Sequence, residues 1–323
     1  MRLEGLKICV TGGMGFVGSQ TAKSLKGAGA EVIIVDERET QVPEEYYDLF
    51  YKADYADALI LNSLRNAGVH GFVHCAGSSL VGPSVTDPSE YYNNNVVKTI
   101  QMLDSFKTWD IKPFIVFSSS AATYGNPTEV PITEDAVQDP INPYGNTKMM
   151  IERILHDYEV YGIRSYCYRY FNAAGADVWG AELGPEAGDT HIIPRIFEAY
   201  YSDNVFKLFG TDYDTPDGTC VRDYIHVCDL ALAHLLAVDN LSKRSESERY
   251  NLGTNNGYSN LQIIEAFKEH VGALEVHNMP RRPGDPDTLI ADASLIEKEQ
   301  NFTTSYSDLK TIMMSTKAWY EKK

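Results

Sequence analysis

Tyr144 and Lys148 stand one helical turn apart in Pro143-Tyr144-Gly145-Asn146-Thr147-Lys148. On a helix, both side chains would project from the same face. An ammonium beside a phenol favours the phenolate, and a phenolate can take a proton from a hydroxyl as hydride leaves the same carbon. Such chemistry wants a donor that can hydrogen-bond the oxygen as the ketone forms. Ser120 is the candidate, since Ser118-Ser119-Ser120 closes the apolar run PFIVFSSS. A Tyr–Lys pair at this spacing is also a common surface contact. Its weight comes from the serine-ended strand and from a site for a hydride acceptor elsewhere in the chain.

Thr11-Gly12-Gly13-Met14-Gly15-Phe16-Val17-Gly18 supplies that site, directly after the apolar run KICVT. A glycine-rich turn between a strand and a helix lets backbone N–H groups approach a pyrophosphate, and the helix N-terminus favours negative charge. Gly12, Gly15, Phe16, Val17 and Gly18 are therefore candidate cofactor contacts. The next strand-like run, EVIIVD, ends in Asp36. An acid there accepts hydrogen bonds from ribose hydroxyls and repels a 2′-phosphate, which favours NAD over NADP. Asp54 closes the third such run, either to meet the adenine amino group or to cap the segment that follows.

These residues need a frame. Short apolar runs at 7–11, 31–36, 49–54, 71–77, 113–120 and 164–172 alternate with helix patterns, including 89–107 and 144–161. Near-continuous apolar strands separated by helices imply parallel strands buried on both faces. The expected architecture is a Rossmann-type doubly wound α/β sheet, with its ligand beyond the carboxyl ends of the strands. After Asn172 the rhythm breaks. Gly, Pro and Asp become dense, and helix patterns recur near 192–202, 229–240 and 259–271. The expectation is a cofactor-binding domain over 1–172. A smaller mixed α/β, substrate-binding lobe would occupy most of 173–323, interleaved with the first, so that some segments return to it.

Composition narrows the partners. The chain is 43% hydrophobic and 11% aromatic, enough to pack a core. Forty-five acidic against 28 basic residues leave a net charge of −17, which repels phosphate backbones and anionic lipid. Nucleic acid and membranes are thus not expected as partners. No apolar run has the length of a membrane helix, and the N-terminus runs straight into a strand rather than a signal peptide. The five cysteines include no CxxC pair, and three lie within apolar runs, as small hydrophobes do. The expectation is a reduced, cytoplasmic protein without disulfides. The eight histidines offer no HxH or HxxxH spacing, so no metal is expected.

TGGxGxxG, the serine and YxxxK resemble the extended short-chain dehydrogenase/reductase family. Along nearly the whole chain the resemblance narrows to the UDP-galactose 4-epimerase group. It rests on EYYNNNVVKT, FSSSAATYG, PYGNTK, YFNAAGA, DGTCVRDYIHVCDLA, YNLGTNNGYS and RRPGD. The resemblance implies an isomerase that turns over a UDP-hexose through a transient 4-keto sugar, with retained NAD and a homodimeric form. Asn95 would contact the cofactor or position the strand end near it. Asn172 would hold the phosphate or ribose region of the substrate. Arg222 and Arg282 would clamp the diphosphate, as bidentate guanidinium groups can. Asp285 would bind the nucleotide ribose, and Phe209 would pack against uracil or simply fill the core.

The chain also departs from the group. Where many members carry AG-x-K-x-VGES, this one reads Ala76-Gly77-Ser78-Ser79-Leu80-Val81-Gly82-Pro83-Ser84. By the resemblance, Leu289 would occupy the region where residue size gates room for an N-acetyl group, and leucine is intermediate in size. UDP-N-acetylhexosamines, UDP-uronates and UDP-pentoses therefore remain alternative substrates, and a non-catalytic nucleotide-binding protein a more distant one. Dehydration is disfavoured, because Ala121 and Ala122 follow Ser120 and neither can move a proton.

Overall fold

The computed structural model describes residues 2–186, 191–244, 246–281 and 286–323. Arg282 and Asp285 lie outside the described residues. The chain divides into two compact units, each built from separate stretches. The first comprises Met1–Asn126, Val137–Arg169 and Leu230–Tyr250, and the second Pro127–Ala136, Tyr170–Asp229 and Asn251–Lys323.

Six strands of the first unit are β1 (Lys7–Thr11), β2 (Glu31–Asp36), β3 (Leu49–Lys52), β4 (Gly71–His74), β5 (Phe114–Ser120) and β6 (Ser165–Tyr170). With the strand Glu248–Leu252 they form a seven-stranded sheet, ordered 248–252, β6, β5, β4, β1, β2, β3. β1 runs parallel to β2 and β4, β2 to β3, and β4 to β5. This is the expected doubly wound sheet. Its apolar runs are continuous because both faces are covered. Cys9, Ile33, Val35, Phe72, Ile115 and Phe117 enter one core cluster with Met102, Leu103, Phe106, Ile151 and Leu155 from flanking helices. Burial pushes the Cys9 and Cys167 thiols well up, as for small hydrophobes.

Strand register aligns the functional edge. Thr11 pairs with Val35 and His74, and His74 pairs with Phe117. The glycine turn after Thr11, Cys75 after His74, and Ser118 after Phe117 therefore share the carboxyl edge, where ligands of such sheets bind.

Two helices flanking this edge have unusual features. Asn142 caps the Pro143–Tyr158 helix by accepting from the Gly145 N–H at 2.8 Å, with Pro143 in the first turn. A Cβ on Gly145 would lie 2.3 Å from the Ala122 carbonyl oxygen. Glycine thus lets this helix seat on the turn that follows Ser120. The expected 89–107 helix is interrupted: Pro88–Tyr91 passes through a π-helical stretch, Tyr92–Val97, into Lys98–Phe106. Such bulges recur at functional sites, and Asn95 lies within this one.

The second unit has smaller sheets. Asn172–Ala174 pairs with Tyr224–His226, and Val221–Arg222 lies between Tyr258–Ser259 and Thr288–Leu289. Phe206–Phe209 pairs with Val276–Met279. Ile193, Ile196, Phe197, Leu208, Ile263, Phe267 and Ile312 form its core. The run expected at 164–172 is split, with β6 ending at Tyr170 and Asn172 opening a strand of the second unit. The sequence reading passed over the helices Ser294–Gln300 and Leu309–Lys322, the latter capped by Asp308.

Candidate active site

At the glycine turn the backbone itself forms the surface. Gly12 has φ +71°, and a Cβ there would lie 2.7 Å from the Ala76 nitrogen. A Cβ on Gly18 would lie 2.2 Å from the Gly12 carbonyl oxygen. Only glycine allows this helix to start so close to β1. Gly15 caps the Phe16–Gly27 helix without a side-chain hydrogen bond, so Phe16 and Val17 open a helix N-terminus that has no side-chain cap. That is the arrangement a pyrophosphate needs, and the residues present fit a dinucleotide.

Asp36 is buried at the end of β2. One carboxylate oxygen accepts from the Met14 N–H at 3.1 Å and the other from the Arg38 N–H at 3.0 Å. Arg38 Nε also lies 3.5 Å from Oδ1, and of a carboxylate's roughly four lone-pair sites some remain for hydroxyl donors. Asp54 accepts from the Ala56 N–H at 2.9 Å and pairs with Lys98 at 2.7 Å. The cap of the following helix is Asp57 rather than Asp54.

Asn95 is almost wholly enclosed. Its side-chain oxygen accepts from the Ser78 N–H at 2.8 Å, and its amide donates to the Ser78 carbonyl and to Thr147 Oγ1, each at 3.0 Å. Both donors are spent, so Asn95 holds the loop after β4 against the Tyr–Lys helix. A second chain of hydrogen bonds reaches the same stretch. Thr11 Oγ1 lies 2.7 Å from His74 Nδ1, His74 Nε2 lies 3.0 Å from Thr99 Oγ1, and Thr99 donates to the Asn95 carbonyl. Since Thr99 spends its hydrogen on Asn95, His74 Nε2 donates and Nδ1 accepts from Thr11. Burial first, then Lys148, lowers the His74 pKa to about 3, so the ring is neutral.

Lys148 is 5% exposed. Its Nζ donates to the Ser118 carbonyl at 2.8 Å and lies 4.9 Å from the Phe117 ring centroid and 5.7 Å from that of Tyr144. Burial lowers its pKa to about 8, against the opposing influence of Cys75 and Glu152. A lysine so placed keeps its charge beside the phenol at neutral pH and loses it in mildly alkaline solution. Ser120 Oγ accepts from the Ala122 N–H at 3.1 Å, which leaves its hydroxyl hydrogen directed elsewhere. Cys75 receives the Ser118 hydroxyl at 3.1 Å, and desolvation pushes its thiol up to about 11. It is therefore a thiol, not a nucleophile.

In the second unit, Arg222 donates to the Val221 carbonyl at 2.9 Å, and its strand neighbour in register is Leu289. The strand end is stapled by Asp223, which accepts from the Thr254 N–H, the Thr254 hydroxyl and the Ala291 N–H. Burial raises the Asp223 pKa to about 6, against those donors. Asn172 opens its strand by donating its N–H to the Asp223 carbonyl at 2.9 Å, and Phe209 ends a strand half-buried. Among the described residues, no group of His, Cys, Asp and Glu could hold a metal ion. None of the five cysteines is in a disulfide, and no described helix is long and apolar enough to cross a membrane.

Sequence reasoning missed Gly145, Thr147, His74, and the buried Glu152 and Arg169. Glu152 had a visible signal, one turn beyond Lys148 on the same helical face.

The family model described as "NAD dependent epimerase/dehydratase family" matches residues 8–253. The chain belongs to that family. Within it, the chain is 40% identical to a UDP-glucose 4-epimerase of Lactobacillus helveticus, across 98% of this chain and 97% of the relative. The structure of UDP-glucose 4-epimerase from Brucella ovis in complex with NAD superposes with a TM-score of 0.91 at 42% identity, covering 97% of each chain. That of the Bifidobacterium longum enzyme in complex with NAD+ and UDP gives 0.90 at 36% identity, covering 98% of each. This family member is an enzyme, and its cofactor is NAD.

Proposed function

We propose that this chain is an NAD-dependent UDP-hexose 4-epimerase that interconverts UDP-galactose and UDP-glucose. The observation that carries the reading is Lys148, buried on the Ser118 carbonyl and 5.7 Å from the centre of the Tyr144 ring. NAD, when bound, supplies the reversible hydride acceptor. Tyr144, as phenolate, takes the proton from the sugar 4-hydroxyl, and the Lys148 ammonium stabilises that phenolate. Ser120 donates to the same oxygen. On reversal the hydride returns to C4 and Tyr144 returns the proton to the oxygen, so no net oxidation occurs.

The first unit holds the cofactor. The N–H groups of Phe16 and Val17, at the helix start that Gly12, Gly15 and Gly18 allow, receive its pyrophosphate, Asp36 its adenosine ribose, and Asp54 its adenine. Asn95 acts by holding the Ser78 loop in place. The second unit holds the UDP moiety. Arg222 and Arg282 clamp the diphosphate, Asp285 and Asn172 take the ribose and phosphate region, and Phe209 packs on uracil. The similarity to UDP-glucose 4-epimerases supports this substrate, the absence of disulfides suits a cytoplasmic setting, and the homodimer rests on the family resemblance.

Purified protein incubated with UDP-galactose, without added NAD, is the test. We expect UDP-glucose to form, as followed by NMR of the sugar. No epimer even with added NAD would overturn the reading.

A further inference from the structure

The face of the Pro143–Tyr158 helix that carries Tyr144 and Lys148 continues one turn further to Glu152. That carboxylate is 1% exposed, and the side chain of its partner, Arg169, is 4% exposed. Arg169 Nη2 donates to Glu152 Oε2 at 2.7 Å, and Nε reaches both oxygens at 3.1 and 3.2 Å. Nη1 donates to the Tyr124 hydroxyl at 2.7 Å. Gln138 donates to Oε2 at 3.0 Å, and the Ser119 hydroxyl donates to Oε1. Burying so much charge carries a desolvation cost that the hydrogen bonds must offset, so stability alone is a weak account of the pair.

The purpose is visible in what the helix holds. Lys148 grips the Ser118 carbonyl, and Glu152 grips the next residue, Ser119. Two successive rungs of one helical face thus clamp two successive residues of β5, immediately before Ser120. We propose that the Glu152–Arg169 pair is the positioning device of the active site: Glu152 fixes the catalytic helix against the serine strand, and Arg169 balances the carboxylate charge beside the Lys148 ammonium.

The charge environment is defined. Glu152 faces Arg169 on β6, Arg249 on the neighbouring strand at 4.0 Å, and Lys148 on its own helix. Lys148 also faces Tyr144 and, from the β4 side, His74 and Cys75. Glu152 works to keep Lys148 protonated. Removing the carboxylate alone leaves the Arg169 guanidinium uncompensated, so Lys148 then loses its proton at lower pH.

The inference rests on the catalytic reading of Tyr144 and Lys148, and wild-type enzyme assayed in parallel separates the two. Glu152→Gln should lower kcat about tenfold or more, with KM for UDP-galactose within about threefold and cofactor content unchanged. The basic limb of its kcat–pH profile should move about one unit towards acid. Glu152→Gln with Arg169→Met removes both charges and should return that limb to the wild-type position. A wild-type limb in Glu152→Gln, or a double variant that tracks the single one, overturns the electrostatic role. Ser119→Ala buries no charge and covers the case of an unfolded Glu152→Gln. It should lower kcat at an unmoved limb, and unchanged kcat overturns the clamp. Inactive wild type would instead sink the underlying reading.

Discussion

The two units present their functional groups in different ways. In the first, Lys148, Asn95, Asp36 and Glu152 are buried, and each is tied to backbone or side-chain partners. In the second, Arg222 and Asn172 stand half-buried on strands of two and three residues, and Arg222 bonds mainly to backbone carbonyls. The first arrangement suits proton transfer, where a misplacement of about 1 Å can cost a hundredfold. The second suits a diphosphate clamp, where a guanidinium needs charge and reach more than a fixed pose. Pre-organisation is concentrated where the chemistry is, and binding is left to groups that ligand can draw in.

This contrast separates kcat from KM. The largest effect should come from Tyr144→Phe, which removes the proton acceptor and should lower kcat by about 10²–10⁴-fold with KM little changed. Arg222→Ala should do the reverse, raising KM for UDP-galactose about 10–100-fold, the worth of a charged hydrogen bond, with kcat nearly intact. If Arg222→Ala instead lowers kcat at constant KM, the division between the units is wrong. The smallest effect should be Asn142→Ala. Loss of that helix cap should cost about 1 kcal/mol in denaturant unfolding, and a cost near zero would show that the Gly145 contact alone seats the helix.

Much of the first unit was legible in the residues. KICVT and EVIIVD became β1 and β2 at the expected limits, since parallel strands buried on both faces leave unbroken apolar runs. Tyr144 and Lys148 were readable because a helix converts i, i+4 spacing directly into a shared face. Asn95 was less legible: its motif marked the position, but only the folded chain shows its amide spent on Ser78 and Thr147. Glu152 and Arg169 pair across a helix and a strand, and no local pattern joins them. The second unit was harder still. Its strands are too short to carry a period, and the reading of Arg222 came through the resemblance rather than the spacing. The C-terminal helix was missed although Asp308 is a good cap, because its buried face is interrupted by Ser315 and Thr316.

The central claim is that the hydrogen leaving sugar C4 returns to the same carbon on the opposite face while Tyr144 handles only the hydroxyl proton. UDP-galactose carrying deuterium at C4 tests it most directly. The account requires UDP-glucose that retains the label at C4 in ordinary water. Product carrying hydrogen from solvent at C4 would mean that the carbon is deprotonated rather than oxidised, and would contradict the assignment of Tyr144, Lys148 and Ser120.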